Sequence, residues 1–259
     1  MEKIKNLLRE NYKYCLFLIA IGLIGGFFTA RYAMEMTDPS IMAEALSQLG
    51  GEIGYIIIGT LQVVSYALIF GILGKYLSKK VGLWRELKFE KKATLKSCLL
   101  GFIGGIAVML MDVFVFSIGA ESDAIKESLL LSLTPSSIIA SFTYGGVFEE
   151  VMMRLFLMSL IALLIWRIFF RSDDAAPVSA MVISNILVAI LFAAGHLPAT
   201  AVSIGLTPMI VLRCFVLNGS MGLIFGRAYR KHGIHQAVLA HIFAHVGMKL
   251  LGFVIVTLN

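Results

Sequence analysis

Three short clusters of ionisable residues interrupt an otherwise apolar chain. The first is Glu149-Glu150-Val151-Met152-Met153-Arg154, the second Phe192-Ala193-Ala194-Gly195-His196, and the third His241-Ile242-Phe243-Ala244-His245. On a helix, Glu150 and Arg154 stand four apart and share a face, so they can pair. Glu149 points about 100° away from that face and is left without that partner. Two adjacent carboxylates in different surroundings suit acid–base work: one stays ionised and structural while the other, desolvated, takes up and releases a proton. Phe192 and His196 share a face; taken alone, His196 reads as a satisfied core residue or helix cap as readily as a catalyst. His241 and His245 project from one face at the spacing of a shared metal ion or of paired hydrogen-bond donors. No Glu follows His241, so the zincin pattern is absent. The plainer alternatives are a buried ion pair that fixes helix packing, for Glu150 and Arg154, and two unrelated polar groups facing a wet cavity, for the histidine pair.

Hydrolysis of an amide needs an activated water, donors for the oxyanion and a proton for the leaving amine. A carboxylate and three imidazoles could supply all of these. No serine or cysteine has an obvious partner base, which argues against a covalent nucleophile. A divalent metal such as zinc, if held, would act as a Lewis acid and activate the water. His196, His241, His245 and Glu149 are the candidate ligands.

The elements that carry these residues are membrane helices. Of the 259 residues, 59% are apolar and only 15% charged, against about 45–50% and 25% in a soluble domain. Seven long apolar segments run roughly over 14–33, 53–78, 96–119, 136–170, 179–197, 207–228 and 234–257. Backbone groups in lipid must be satisfied internally, so the segments are helices. The alternating pattern of an outer-membrane barrel is missing. The expectation is an all-α, polytopic transmembrane bundle of seven or eight spans, with three N-terminal spans in 1–130 and a catalytic helix bundle in 131–259, integrated into one membrane domain. The fourth segment is the open point. At about 35 residues it would measure ~52 Å against a core of ~30 Å, so it is either one long tilted span or two spans broken near Gly145-Gly146.

Loop charge sets an orientation. The N-terminal arm (Lys3, Lys5, Arg9, Lys13) is basic, and the next loop holds Glu35, Asp38, Glu44 and Glu52 against Arg31. The third carries Lys79, Lys80, Arg85, Lys88, Lys91, Lys92 and Lys96; the fourth, Glu121, Asp123 and Glu127 with one lysine. Arg167 and Arg171 follow, then an uncharged stretch, then Arg227, Arg230 and Lys231. This alternation puts the N-terminus in the cytoplasm and the last helix ending outside, in the plasma or inner membrane. The net charge of +6 therefore reads as membrane orientation, and no nucleic-acid partner is expected. The first segment reads as an uncleaved span, since Arg31-Tyr32-Ala33 makes a poor signal-cleavage site. Cys15, Cys98 and Cys214 are isolated and read as buried small hydrophobes. Small-residue pairs at Gly22/Gly26, Gly101/Gly105 and Gly222/Gly226 allow close helix approach. All five prolines fall at segment ends. Asp112 and Arg213, in spans three and six, are read as partners of Lys249 or as snorkelling groups, and Asn218 as a helix cap or interhelical bond. Counted from the inner face, His196 lies ~24 Å deep and His241 ~10 Å, on helices running the same way, so the two should not meet.

Taken in order, Glu-Glu-x-x-x-Arg, Phe-x-x-x-His and His-x-x-x-polar on successive late helices resemble the CPBP family of intramembrane proteases, which includes the CAAX prenyl endopeptidases and the bacteriocin-processing and immunity proteins. The stretch Phe215 to His245, with Asn218-Gly219-Ser220, Gly222, Gly226-Arg227 and Gly233-Ile234, adds to the likeness. The resemblance covers about residues 136–250 and implies an intramembrane (metallo)endopeptidase acting on a peptide, a prenylated protein or another membrane-anchored protein. By that resemblance Glu149 would activate water, Glu150 support it and Arg154 order the pair. His196 would orient or deprotonate the water, and His241 would hold the oxyanion. The family has Asn or Asp where His245 stands; a His donates only through a protonated nitrogen and can also bind metal. The resemblance also implies a site open to the cytoplasm. Two other functions stay open: a non-catalytic scaffold or bacteriocin-immunity factor, and a small proton-coupled transporter using the buried Glu and His residues.

Overall fold

The computed structural model describes residues 2–118 and 122–258. Of the charged residues used above, Glu121 lies outside the described residues, and so do the side chains of Lys3, Lys5 and Arg9. Every described element is a helix. In order they are α1 (Glu2–Met36), α2 (Pro39–Leu49), α3 (Gly51–Lys80), α4 (Lys91–Met111, prolonged by a π-helical turn over Asp112–Phe116), α5 (Ser122–Ser132) and α6 (Pro135–Ala140). π-helical stretches over Ser141–Glu149 and Val151–Met158 lead into α7 (Ser159–Phe169). Then come α8 (Val178–Gly195), α9 (Leu197–Ser203), α10 (Pro208–His232) and α11 (Ile234–Leu258). Seven helical stretches are long and apolar enough to cross a bilayer, which makes the protein a multi-pass integral membrane protein. α2 and α5 are additional short helices in the second and fourth loops.

Proline and cap chemistry start the helices where the sequence places them. Pro39, Pro135 and Pro208 occupy first-turn positions, where a missing N–H costs nothing. Asp38, Thr134 and Thr207 precede them and accept from the N–H groups of Ser40, Ser137 and Ile210, satisfying donors the helix itself cannot pair.

The fourth segment is one continuous helix over Pro135–Phe169; it does not break at Gly145-Gly146. Those glycines serve packing. A Cβ on Gly145 would sit 2.8 Å from Nε2 of His245, and one on Gly146 would sit 2.5 Å from Cγ1 of Ile242. The pair lets α11 lie against this helix at the level of the histidines. The π-helical turns fall on the same stretch, a distortion common at functional sites.

The tightest crossing joins α4 to α11. A Cβ on Gly101 or Gly105 would run into the carbonyls of Ala240 and Ala244, and one on Gly247 would lie 2.5 Å from the Phe102 carbonyl oxygen. Small residues on both helices bring the backbones together, as packing in lipid favours. The main core cluster lies between the long helix, α8 and α10. It contains Phe148, Leu155, Met158, Trp166, Val188, Phe192 and Tyr229, with Leu18 and Ala67 added from α1 and α3. Large apolar side chains such as Ile57, Leu99, Ile103 and Phe253 face outward, as lipid contact requires.

Two expectations need correction. Asp112 and Arg213 do not engage Lys249. They pair with each other through two contacts of 2.5 and 2.6 Å, while Lys249 donates to the Ser132 carbonyl at 2.6 Å. A bidentate fork suits a carboxylate better than any lysine could. And His196 does meet His241. Val151 and Leu155 share an apolar pocket with Ile234 and Val238, so the start of α11 is level with Leu155. The helix continues fourteen residues past Leu155 to Phe169, or about 21 Å. α8 returns from that far end, so His196, the residue after its eighteenth, reaches the depth of His241, the eighth of α11. The depth estimate assumed a common starting level, which the long helix removes.

Replacing Gly105 by Leu should force α4 and α11 apart and cost about 1–3 kcal/mol or more. Thermal unfolding of the detergent-solubilised protein reads this; an unchanged midpoint would refute the seam.

Candidate active site

The centre of the site is a buried charge network. Glu150 and Arg154 are both fully buried, and Arg154 Nη1 lies 3.0 Å from Glu150 Oε1, one helical turn apart. The contact is an ion pair without hydrogen-bond alignment. The guanidinium gains its aligned bond elsewhere, from Nη2 to the Gly222 carbonyl of α10 at 3.1 Å. It also lies over the rings of Phe192 and Phe225, 4.5 and 5.4 Å from their centroids. Two aromatic faces partly replace the water that this cation lost.

The same carboxylate oxygen holds a histidine. Nδ1 of His241 lies 2.8 Å from Glu150 Oε1. The carboxylate can only accept, so Nδ1 carries the proton and Nε2 of a neutral ring is left as an acceptor. His196 has the same tautomer for a different reason: its Nδ1 donates to the Phe192 carbonyl at 2.7 Å. Both rings are fixed by packing. His241 stacks on Phe225 at 4.2 Å and on His245 at 4.9 Å, with 19° between planes in each case. Phe192 meets His196 and His241 edge-on at 4.6 and 5.9 Å.

A cavity of about 450 Å³ collects Glu149, His196, His241 and His245 along its wall, with Tyr144, Asn218 and Phe225. Among the described residues the Glu149 side chain makes no hydrogen bond, and Glu150, by contrast, lies behind the wall. The two carboxylates thus occupy the two environments that their 100° offset suggested. Nε2 of His245 is buried without a hydrogen-bond partner and sits against Gly145.

A zinc site does not form from these groups as they stand. Among the described residues no three His, Cys, Asp or Glu side chains are placed to share an ion. The physical reason for the i, i+4 pair is the stacking of its rings: in-plane lone pairs on two nearly parallel rings do not converge on one point.

The cavity has a direction. From Phe225, Met153 and His241 its lining passes to Thr29, Tyr32 and Met36 of α1, Ser137 of α6, Ala199 of α9 and Met248 of α11. That is the end of the bundle bearing Glu35, Asp38, Glu52, Asp123 and Glu127, away from the basic loops. A neighbouring cavity of about 300 Å³ between α1 and α3 shares Thr29, Ala33 and Tyr144 with it.

The sequence pointed to the carboxylate and the three histidines of the cavity, but not to Tyr32 and Tyr144 on its wall, and it missed the framing. Asn218, read as a cap, lines the cavity while its Nδ2 donates to the Cys214 carbonyl at 3.0 Å. Phe225 and the Gly222 carbonyl sit on the glycine-rich helix, where Gly222 and Gly226 were the signal of close approach but not of what approaches.

Glu150→Gln should leave the Arg154 charge buried without its counter-charge and destabilise the protein by about 3–5 kcal/mol. Glu149→Gln, at the cavity wall, should leave the unfolding midpoint within about 0.5 kcal/mol of the parent. Equal effects on thermal unfolding would contradict the division of roles between the two carboxylates.

Among known families, the model described as type II CAAX prenyl endopeptidase Rce1-like matches residues 131–247, somewhat under half of the chain. No curated protein and no solved structure matches it.

Proposed function

We propose that the chain, whose residues 131–247 match the Rce1-like family model, is an intramembrane endopeptidase whose nucleophile is a water activated by Glu149. The observation that carries this reading is the gathering of Glu149, His196 and His241 from three separate helices onto one cavity wall, with the Glu150–Arg154 pair behind them. Five ionisable groups held in a lipid-embedded bundle are costly to bury; a structural ion pair would have needed two.

The steps follow from the hydrogen bonds. A water in the cavity donates to the accepting Nε2 of His196, whose Nδ1–H is committed to the Phe192 carbonyl. Glu149 takes the other proton as the water oxygen attacks the scissile carbonyl carbon. Glu149 then passes that proton to the departing amine, so the carboxylate is regenerated and one water is consumed. The oxyanion needs a donor. Because His241 already commits Nδ1–H to Glu150, its Nε2 donates only after the ring takes up a proton from a second cavity water, which leaves as hydroxide and recovers that proton when the oxyanion collapses; Glu150 is placed to balance the transient cation, as the acidic member of a hydrolytic triad balances its histidine. Arg154 stands beside Glu150 as its counter-charge. His245 and Asn218 offer further polar atoms on the same wall.

The substrate class follows from the walls. The lining is mostly apolar, with Met36, Leu191, Leu217, Met221 and Met248 around the polar centre, which suits an extended peptide or the membrane-anchored tail of a protein. By loop charge the cavity mouth faces away from the cytoplasm, so the scissile segment is reached from that side.

Glu149→Gln keeps the shape but removes the base, and should lower peptide hydrolysis by about 10²–10⁴-fold in a reconstituted assay with a fluorogenic membrane peptide. Retained biological function with a Gln at this position would indicate a scaffold instead. For the direction of access, Met36→Cys in a cysteine-depleted background should react with an impermeant maleimide added to right-side-out vesicles. Labelling only after the vesicles are opened would reverse the orientation.

A further inference from the structure

A second groove lies on the flank of the bundle, at the end opposite the cavity mouth. It measures about 480 Å³ and runs between the start of α4 and the end of α10. Lys92, Lys96, Arg227 and Lys231 line it, with Glu90 as its one acidic residue among those described. None of these four cations lies within ion-pair distance of a carboxylate among the described residues; the four ion pairs formed by Arg and Lys lie elsewhere, at Arg31, Lys126, Arg154 and Arg213.

Two features make this cluster unfavourable in isolation. The first turn of α4 carries Lys91 and Lys92 and no acidic residue, at the helix end that is itself positive. The last turn of α10 adds Arg230, Lys231 and His232 beside it. Like charges concentrated in this way repel unless an anion sits among them. A continuation of about 400 Å³ shares Glu90, Ala93, Lys231 and His232 and extends the surface to Arg85 and Lys88, with Glu86 between them in sequence.

The floor of the groove is apolar. Leu100, Ile224 and Ala240 lie beneath the cations, and Leu100 is 45% exposed with Ile103 at 60% one turn further into the span. A small soluble anion would have no use for such a floor. The seven spans fix the setting, because the first turns of a membrane helix lie at headgroup level and its next turns face acyl chains.

We propose that this groove is a binding site for an anionic phospholipid, its phosphate held by Lys96, Arg227 and Lys231 and an acyl chain laid over Leu100 and Ile224. The groove shares no residue with the hydrolytic cavity, and the proposal stands whether or not the chain is a peptidase. It does touch the same helices: Ile224 precedes Phe225 and Ala240 precedes His241. A bound lipid would clamp α4, α10 and α11 from behind the site.

Native mass spectrometry of the full chain in micelles tests this. On titration with phosphatidylglycerol, saturable binding is expected, with phosphatidylcholine binding at least about tenfold weaker. The triple variant Lys96→Gln, Arg227→Gln, Lys231→Gln should weaken phosphatidylglycerol about a hundredfold, and the control Lys79→Gln, Lys80→Gln at the same end should leave it unchanged. Leu100→Trp, which fills the floor and keeps every charge, should also weaken it and covers the case in which the triple variant does not fold. Equal binding of the two lipids, equal loss in the control, or full displacement by millimolar inorganic phosphate would overturn the proposal.

Discussion

Everything at the centre of this protein depends on one buried cation. Arg154 has no exposed surface, and a guanidinium in a bundle of apolar helices is tolerable only if its surroundings replace water. The sequence distributes that task over four groups on three helices: Glu150 one turn earlier on the same helix, the Gly222 carbonyl from α10, and the faces of Phe192 and Phe225 from α8 and α10. The last three contacts fix α8 and α10 relative to the long helix. The same oxygen of Glu150 also accepts from His241 of α11, so the charge balance that makes the arginine tolerable also sets the tautomer of a histidine on the cavity wall. Stability and chemistry are thus coupled through one carboxylate oxygen.

That coupling explains why adjacent glutamates differ so much. Glu150 is turned inward, where a charge must be matched. Glu149 faces the cavity, where hydration is available and no partner restrains it. A single helical step, with no difference in residue type, separates a member of the buried charge network from a group on the cavity wall. The π-helical turns around them alter the usual registry, and the glycines at 145 and 146 remove the side chains that would have kept α11 at a distance.

How much of this could be read in the sequence depends on whether the signal was local. The helices were legible because long uncharged runs leave few alternatives in lipid, and the starts were legible because proline and a capping residue mark them. Glu149, Glu150, Arg154, His196, His241 and His245 stood out because each is expensive where it sits. What stayed hidden is relational. The level at which α8 starts follows from how far the long helix projects past α11, and no local pattern encodes that. Asp112 and Arg213 are far apart in sequence, so their pairing was invisible. Gly145-Gly146 looked like a break because glycine weakens helices in general; only the presence of His245 and Ile242 on the far side shows that the pair is there to be crossed.

The seam between α4 and α11 bears on the order in which the molecule comes into being. α11 brings both stacked histidines, and its seat is prepared by Gly101 and Gly105, some 130 residues earlier in the chain. During synthesis every other described helix leaves the ribosome first. Until α11 docks, Glu150 has no imidazole to hold, and the cavity lacks one wall. The earlier helices therefore enter the membrane before the cavity they line is complete, and the Glu150–Arg154 pair can form on its own helix ahead of the imidazole that joins it.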